Sequence, residues 1–481
     1  MYDDFFFPYE KAKLWTGNMV LLSLSNFLLY ASLYMMLPAL PLWMVRHWYC
    51  SYAEAGAAVA VFGLAMFLPG AFNSYLIDTF KRKSVCLVAM LLFVASSLLY
   101  PYVATVGFIA LVRAVQGGLF SVITMTTGST LVIDVTASRR RTDANIAFSW
   151  VGRFGMVAGL ALGIYIYPYW NFHHVVYTCV ALGTLALLLI LAVDVPFRAP
   201  LRTSWFSLDR FLLPRTLWPA LNMMMLSAVF GILIAHIYNE LFYICILIGF
   251  IISLLLLRYV LSYASGRSEV ELGQAAMIGG LLLLAFSNSL MNSYIAGVLL
   301  GTGIGTTVSR FFIKMISLPM HCERGTGNNT YQLMWEVGML SGFLFENMWT
   351  ESHPDTIYWI CIGICVTLLL MYEFFTHPWY YRKMEEKRMI VENRGQQQSI
   401  RYVIDTDRCC GCKKCIRRCM ENVWQWDEEK KYAYPKYPDE CVLCYQCEMD
   451  CLNNVIDIQV ISALQVDPLE YSAELMKKQG E

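Results

Sequence analysis

The chain has 481 residues, of which 57% are hydrophobic and 15% are charged, and its formal net charge at pH 7 is zero. Soluble proteins carry about 25% charged residues, so a wholly soluble globule is excluded, and the balanced charge gives no reason to expect nucleic-acid binding. Residues 1–376 hold 38 Asp, Glu, Lys and Arg residues and residues 377–481 hold 34, which indicates a long lipid-facing body followed by a small polar domain.

The first 376 residues predict an all-α polytopic membrane domain. A transmembrane helix needs about 20 mostly apolar residues to cross the hydrocarbon core of a bilayer. Twelve stretches satisfy this requirement, near residues 18–45, 52–78, 84–103, 105–134, 143–168, 173–195, 217–238, 240–262, 272–290, 292–320, 326–348 and 356–376. Residues 1–10 are acidic and aromatic and contain no small-residue cleavage site, so we expect no signal peptide.

Basic residues predict how these helices are oriented. Cytoplasmic loops of membrane proteins carry an excess of lysine and arginine. Alternate connections hold Lys11, Lys13, Lys81, Arg82, Lys83, Arg139, Arg140, Arg141, Arg198, Arg202, Arg210, Arg215, Arg267, Arg324, Arg382, Lys383, Lys387 and Arg388. The opposite connections hold little besides Arg46. We therefore expect both termini in the cytoplasm and the chain in a bacterial cytoplasmic membrane.

A basic, proline-containing linker at residues 196–216 separates residues 1–195 from residues 217–376. An internal repeat supports a division into two six-helix bundles. A shift of 183 residues aligns Arg141 with Arg324, Asn145 with Asn328, Gly155 with Gly338, Met156 with Met339 and Gly159 with Gly342. The same shift places Arg153 on Glu336.

Two motifs resemble those of the major facilitator superfamily of transporters. The loop after the second span reads SYLIDTFKRK over residues 74–83, and the fourth span contains RAVQGG over residues 113–118. The resemblance covers residues 15–376. It implies two bundles that rock about a site at the membrane midplane and open it to each side in turn. It also implies that Asp78 and Arg82 latch the cytoplasmic side.

Five ionisable side chains lie deep in the predicted spans, namely Arg113, Arg153, Arg310, Lys314 and Glu336. A charged side chain there costs about 2.5–3.5 kcal/mol on insertion scales, so each requires a partner or a function. In one interpretation they form ion pairs that hold the bundles together. In the other, the surplus arginines bind an anionic solute, because a guanidinium grips a carboxylate or phosphate through two hydrogen bonds. Arg113 and Arg310 are the strongest candidates, since the resemblance places the fourth and tenth spans along the cavity.

Glu336 is predicted to be the sole carboxylate in the middle of the membrane. A carboxylate poised between burial and a neighbouring arginine can exchange a proton as a cavity opens, which suits proton coupling. A static ion pair explains the residue equally well. Asp134, at the cytoplasmic end of the fourth span, is expected to join a helix-end ion pair beside Arg139–Arg141.

Cysteines are concentrated in the polar domain, where nine of the 16 lie within residues 409–451. Two runs have the spacing C-x2-C-x2-C-x3-C: Cys409, Cys412, Cys415 and Cys419, then Cys441, Cys444, Cys447 and Cys451. Three thiolates on a tight loop hold three irons of a 4Fe–4S cluster, and the fourth iron needs a ligand from elsewhere. Zinc also takes four thiolates but prefers paired C-x2-C knuckles, so the pattern favours iron–sulfur clusters.

This double pattern resembles bacterial ferredoxins with two 4Fe–4S clusters. The resemblance implies that Cys409, Cys412, Cys415 and Cys451 hold one cluster, and that Cys419, Cys441, Cys444 and Cys447 hold the other. Cys410 has no place in this scheme. A small α+β ferredoxin-like domain is expected over residues 400–481, after a linker at residues 377–399. This domain is expected to contain two paired strands, at Ile400–Asp405 and Val455–Val460, and a short strand or helix at Val423–Trp426.

The two resemblances together predict a secondary active transporter of an anionic or metal-chelating small solute, whose cytosolic iron–sulfur domain reduces the cargo or gates transport. Such clusters carry single electrons, so the expected partners are the lipid bilayer, the solute and an unidentified soluble electron donor, and no nucleic acid. Two alternatives stay open. In one, the protein is a membrane-anchored oxidoreductase that no longer transports; in the other, the clusters are a passive redox or iron sensor.

Overall fold

The long apolar stretches of the sequence form helices in the computed structural model. The described residues are 13–103, 105–137, 140–195, 204–207, 211–261, 264–287, 289–318, 324–349, 356–384, 398–419, 423–438, 441 and 445–462. By its internal contacts the chain divides into two units. The larger, called the membrane unit, comprises Leu14–Ala137 and Asp143–Tyr380, and the smaller is formed mainly by Tyr381–Glu481.

The membrane unit is built from twelve long helices within the described residues, named α1 to α12 in chain order. The first half, α1 to α6, comprises Gly17–Trp48, Tyr52–Thr79, Arg82–Tyr102, Val106–Val135, Arg141–Trp170 and Phe172–Leu191. The second half, α7 to α12, comprises Leu217–His236, Glu240–Val260, Gly266–Phe286, Leu290–Ser317, Arg324–Trp349 and Ile357–Met384. Each predicted span overlaps one of these helices.

The number of apolar helices differs from the prediction. Twelve spans were expected, whereas eleven helices of the described residues are both long and apolar enough to cross a membrane. The exception is α11, which has 26 residues but contains Glu336, Glu346 and several amide side chains. This helix packs against α7 and α2. Protein neighbours therefore surround much of it, and they accommodate polar groups that lipid would not.

Polar side chains fix where several helices begin. The Thr16 hydroxyl accepts a hydrogen bond from the backbone N–H of Met19 at the start of α1 (3.3 Å). At the start of α2, Ser51 and Glu54 bind each other's backbone N–H groups in a capping box. These contacts satisfy N–H groups that the first turn of a helix leaves without partners.

Glycines at repeat-related positions hold helices of each half close together. A Cβ atom at Gly159 of α5 would lie 2.4 Å from the backbone oxygen of Ala31 in α1, and one at Gly342 of α11 would lie 2.0 Å from that of Ala228 in α7. A side chain at either place would overlap the backbone of the neighbouring helix. Since the 183-residue shift aligns Gly159 with Gly342, the two halves use the same close packing, which supports the predicted internal repeat.

The smaller unit contains four short strands and two short helices among its described residues. In chain order they are β1 Gln398–Ile404, α13 Lys414–Arg418, β2 Trp424–Asp427, β3 Tyr432–Pro435, α14 Gln446–Met449 and β4 Ile456–Ser462. β1 pairs antiparallel with β4, and β2 pairs antiparallel with β3. The predicted strands at Ile400–Asp405 and Val455–Val460 therefore pair as expected, and the segment near Val423–Trp426 is a strand.

Replacing Gly342 with alanine is expected to destabilise the membrane unit, because the added methyl group would overlap the backbone of Ala228. Overpacking of this kind costs about 1–3 kcal/mol, which should lower the thermal unfolding temperature of the detergent-solubilised protein. The matched control is Gly279→Ala in α9, where a Cβ atom meets nothing within 4 Å. That change should stabilise the helix by about 0.5–1 kcal/mol. Equal unfolding temperatures for the two variants would contradict the proposed packing.

Candidate functional site

Glu336 lies on α11 where the two halves of the membrane unit meet, and it is 1% exposed. Its Oε1 accepts hydrogen bonds from the Tyr34 hydroxyl of α1 (2.6 Å) and from the Gln332 amide one turn earlier on α11 (3.0 Å). Tyr30 stacks on Tyr34 with ring centroids 5.9 Å apart. A buried carboxylate needs such donors, and here each half supplies one of them.

Arg153 reaches the same region from α5 and is 6% exposed. Its guanidinium carbon lies 4.4 Å from the ring centroid of Trp335 and 5.0 Å from that of Tyr331, both on α11. A guanidinium is attracted to the electron-rich face of an aromatic ring, more strongly when both are removed from water. Aromatic rings of the second half therefore hold this arginine of the first half in place.

Arg153 and Glu336 lie in the same region but form no ion pair with each other among the described residues. Among the described residues, no nitrogen and oxygen atoms of the two side chains lie within the 4.0 Å of an ion pair. Nη1 of Arg153 and Oε2 of Glu336 are both buried and have no hydrogen-bond partner in that part of the chain. The repeat predicted that the two residues occupy equivalent positions, and in the structure Arg153 of the first half packs against rings of α11, the helix that carries Glu336.

A polar cavity lies near Glu336, although neither Glu336 nor Arg153 is among its lining residues. Tyr30 and Gln332 line it, so it borders the surroundings of Glu336. The other lining residues are Asn26, Thr124, Thr127, Gly128, Asn145, Phe148, Ser149, Asn328 and Asn329. They come from both halves and carry no charge. The cavity therefore offers amide and hydroxyl hydrogen bonds to a polar molecule.

Arg113 lies among the helices of the first half. It is 2% exposed, and its guanidinium carbon lies 5.4 Å from the ring centroid of Tyr100. Its Nε and Nη2 have no hydrogen-bond partner among the described residues. Gln116 of the same motif accepts a hydrogen bond from the Tyr100 hydroxyl (2.6 Å) and donates one to Ser97 (3.0 Å). The motif thus ties α4 to α3, and a role for Arg113 in solute binding stays a prediction.

Arg310 has a carboxylate partner that the sequence analysis did not identify. Its Nε and Nη2 both donate to Glu269, which is 1% exposed. The ninth span was predicted at residues 272–290, which excluded Glu269, whereas α9 begins at Gly266 after the capping residue Ser265. A serine followed by an acidic residue was the available signal for this earlier start. Because its charge is compensated, Arg310 is a weaker candidate for binding an anion than Arg153.

A second buried carboxylate of α11 lies near the end of that helix. Glu346 on α11 is 1% exposed, and its Oε1 lies 2.7 Å from Nδ1 of His236 on α7. The Tyr358 ring packs against the His236 ring with centroids 5.1 Å apart. Glu346 was overlooked because it lies at the edge of the predicted span, residues 326–348.

Lys314 is buried, at 7% exposure. Its Nζ donates to the Tyr372 hydroxyl (2.9 Å) and lies 4.6 Å from the ring centroids of both Tyr372 and Tyr380. These aromatic rings lower the cost of burying the ammonium group. The contacts with Tyr372 and Tyr380 therefore account for the burial of Lys314.

Asp78 and Arg82 form a network with the end of α4. Nη1 of Arg82 donates to both carboxylate oxygens of Asp134 (2.8 and 3.1 Å), and Nη2 lies 3.8 Å from Oδ1 of Asp78. Asp134 was expected to join an ion pair at this helix end, and it does so with Arg82. The network has the charges that a latch requires, and the latch function of Asp78 and Arg82 stays a prediction.

In the smaller unit, thiols from both cysteine runs line one pocket. Cys409, Cys412 and Cys415 of the first run line it together with Cys451, the last cysteine of the second run. They meet because β1, which precedes the first run, ends opposite the start of β4, which follows the second run. Burial is the main reason that the pKa of the Cys415 thiol is raised to about 12.

A second group of thiols surrounds Tyr402. Burial, and then the neighbouring Cys441, Cys447 and Cys419 thiols, raise the pKa of the Tyr402 hydroxyl far above its usual value. Cys419 is the last cysteine of the first run, whereas the other two belong to the second. Cys444 lies outside the described residues. The described thiols therefore form two groups, and each group has members from both runs.

Backbone N–H groups point at the last cysteine of each run. The Val423 N–H lies 3.3 Å from Sγ of Cys419, and the Val455 N–H lies 3.4 Å from Sγ of Cys451. Hydrogen bonds of this kind help to set the reduction potential when a sulfur ligates iron. Within the described residues, no three His, Cys, Asp or Glu side chains form a group that could hold a metal ion.

Comparisons with known proteins concern the fold of the membrane unit. The family described as Major Facilitator Superfamily matches residues 22–342. A crystal structure of a mutant of the nucleoside transporter NupG has a TM-score of 0.58 at 15% sequence identity, covering 75% of this chain and 100% of that one. A second NupG structure has a TM-score of 0.54 at 16% identity with the same coverage. No curated protein matches the chain. At these identities the structural likeness shows the fold alone.

Replacing Arg310 with methionine is expected to destabilise the membrane unit, because it leaves the buried Glu269 carboxylate without its cation. Loss of one member of a buried ion pair costs about 3–5 kcal/mol, which should lower the unfolding temperature in detergent. The double variant Arg310→Met, Glu269→Met should recover most of this loss, since neither charge remains. A double variant as unstable as the single variant would show that the pair does not stabilise the fold.

Proposed function

Because this chain belongs to the major facilitator superfamily of multi-pass membrane transporters, we propose that it carries an anionic or metal-chelating small solute by alternating access. Its C-terminal unit, with two 4Fe–4S clusters bound, reduces this cargo or gates its transport. Both termini face the cytoplasm of a bacterial cell in this proposal, so the electron donor is a soluble cytosolic partner.

The observation that carries the transport proposal is that Arg153 and Glu336 both lie buried at the boundary between the halves. One belongs to each half, both are buried, and each keeps a polar atom without a partner among the described residues. In alternating-access transporters the binding site lies near the midplane where the repeats meet. A solute that contacts both residues bridges the halves, so its binding and release are coupled to their relative motion.

The buried arginines support an anionic cargo. Neither Arg113 nor Arg153 forms an ion pair among the described residues, and each retains nitrogen atoms without hydrogen-bond partners there. The planar fork of a guanidinium matches a carboxylate or phosphate through two parallel hydrogen bonds. Arg153 lies at the boundary between the halves, so we assign the anion to it. Glu336 beside it is the group proposed to exchange a proton during transport.

The network of Asp78, Arg82 and Asp134 supports a latch at one end of the first half. Arg82 holds the carboxylate of Asp134 with two hydrogen bonds, while Asp78 lies at the outer range of an ion pair. Opening that end requires these contacts to change. The proposal places this end on the cytoplasmic side, where the positively charged loops are expected.

The cysteine pocket supports the iron–sulfur part of the proposal. Four thiols of the double motif line a single pocket, and thiolates are the ligands that iron–sulfur clusters require. Cys409, Cys412, Cys415 and Cys451 would hold one cluster, and Cys419, Cys441, Cys444 and Cys447 the other. Bound there, the clusters supply one-electron transfer: a soluble donor is oxidised, and the cargo gains the electron where reduction is the function.

Replacing Arg153 with methionine is expected to lower uptake of the cargo by proteoliposomes about tenfold to a hundredfold, because a hydrogen bond to a charged group contributes about 1.5–3 kcal/mol. The cargo is identified beforehand by screening small anions and metal chelates with anaerobically reconstituted protein. The matched control is Arg258→Met, which changes an exposed arginine of α8. Absence of flux in every redox state would favour the membrane-anchored oxidoreductase instead.

Replacing Cys412 or Cys451 with serine is expected to remove the same cluster, although the two residues belong to different runs. Anaerobically purified variants should lose about half of the iron and acid-labile sulfide of the unchanged protein, which should hold on the order of eight irons. Cys410 is an exposed thiol that also lines the pocket but lies outside the C-x2-C-x2-C-x3-C spacing, so Cys410→Ser should keep the full content. Zinc in place of iron would refute the clusters. Unchanged uptake and cargo reduction in the double variant Cys412→Ser, Cys444→Ser would refute their coupling to transport.

A further inference from the structure

The site between the halves presents one hydrogen-bond donor and one acceptor. Nη1 of Arg153 carries N–H groups, and Oε2 of Glu336 carries lone pairs, yet both are buried without partners among the described residues. A buried charged group without a hydrogen bond is costly. Such a pair of groups is therefore complementary to a ligand that supplies the missing contacts.

The surrounding side chains keep these two groups from satisfying each other. Oε1 of Glu336 is already bound by Tyr34 and Gln332, which fixes the position of the carboxylate. The guanidinium of Arg153 rests against the rings of Trp335 and Tyr331. Each charged group is thus anchored by neutral partners, and one polar atom of each is left for a third molecule.

A solute that is only an anion fits this arrangement poorly. Its negative charge would bind Arg153, but the ionised form of Glu336 would repel it, because like charges in a medium of low polarity repel strongly. This repulsion acts while Glu336 is ionised, before it takes up the proton exchanged during transport. A solute with an ammonium or hydroxyl group beside its anionic group avoids this conflict. The donor then binds Oε2 of Glu336 while the anion binds Arg153.

The adjoining cavity restricts the rest of the molecule. It is lined by uncharged polar side chains from both halves, among them Asn26, Thr124, Asn145, Ser149, Asn328 and Asn329. Amides and hydroxyls act as donors and acceptors alike. The remainder of the solute is therefore polar and uncharged, and an extended apolar tail would leave these groups without hydrogen bonds.

We propose that the cargo is a small polar carboxylate with an amino or hydroxyl group next to the carboxylate. The carboxylate binds Arg153 and the neighbouring donor binds Glu336. This inference rests on the proposed transport function and narrows its substrate class. It also agrees with a metal-chelating cargo, because adjacent carboxylate and hydroxyl or amino groups supply the oxygen and nitrogen atoms that bind metal ions.

The test compares carboxylates that differ only in the donor group. Purified protein in lipid nanodiscs is titrated with propionate, lactate and alanine, and with succinate, malate and aspartate. Binding is followed by intrinsic tryptophan fluorescence, since Trp335 contacts Arg153, and by the thermal unfolding temperature. At least one donor-bearing compound should bind at least about tenfold more tightly than its plain counterpart, as expected for one added hydrogen bond to a charged group.

Variants identify the residue responsible for this preference. Glu336→Gln should reduce the preference for the donor-bearing compound to about twofold or less, while plain carboxylates still bind through Arg153. Glu346→Gln, which changes another buried carboxylate of the same helix, should leave the preference intact. If the Glu336→Gln variant does not fold, the binding of the paired carboxylates to the unchanged protein still tests the inference.

The outcomes separate this inference from the proposed function. Equal binding of plain and donor-bearing carboxylates, with uptake of either, would overturn the inference and leave anion transport standing. Binding of none of the six compounds would overturn the inference, and flux of other anions into proteoliposomes would then show that the proposed function survives. A donor preference that persists in Glu336→Gln would also overturn the assignment.

Discussion

The cost of placing charge inside a hydrocarbon layer governs the arrangement of the membrane unit. A buried ionised side chain is tolerated when it gains a partner, and the structure meets this condition in different ways. Arg310 is neutralised by Glu269, and Lys314 is surrounded by aromatic rings. Arg153 and Glu336 meet it only in part, and they do so at the boundary between the halves. Arg113, inside the first half, also meets it only in part, since its Nε and Nη2 have no hydrogen-bond partner among the described residues.

The two repeat-related halves share their glycine-mediated helix packing but differ in their buried charges. Gly159 and Gly342 occupy equivalent positions and make the same backbone contact in each half. Six residues earlier, the equivalent positions hold Arg153 and Glu336, whose charges are opposite. The packing of α5 on α1 and of α11 on α7 thus forms a symmetric frame, and the chemistry placed on that frame is asymmetric. A site that binds an asymmetric molecule can arise in this way from two copies of one bundle.

Much of the fold follows from the sequence, because apolar length and strand alternation are local properties. The twelve helices, and the pairing of the strands that begin near Ile400 and Val455, could be predicted on that basis. The contacts of Arg310 with Glu269 and of Glu336 with Tyr34 could not, because they join residues distant in sequence. Glu269 was excluded by a helix start placed six residues too late, and nothing local indicated that Arg310 would meet it. The contact of Arg153 with the aromatic rings of α11 depends on how the halves pack, which the repeat alone does not specify.

The polarity of α11 bears on how the protein is made. A segment leaves the translocation channel for lipid unaided when its side chains partition favourably into the bilayer. With two carboxylates and several amides, α11 is the one long helix of the described residues that is not apolar enough for this, whereas its neighbour α7 is. Its entry must therefore be delayed until other helices can cover its polar face. The polar residues of α11 thus make this helix dependent on its protein neighbours, α7 and α2, for a stable place in the bilayer.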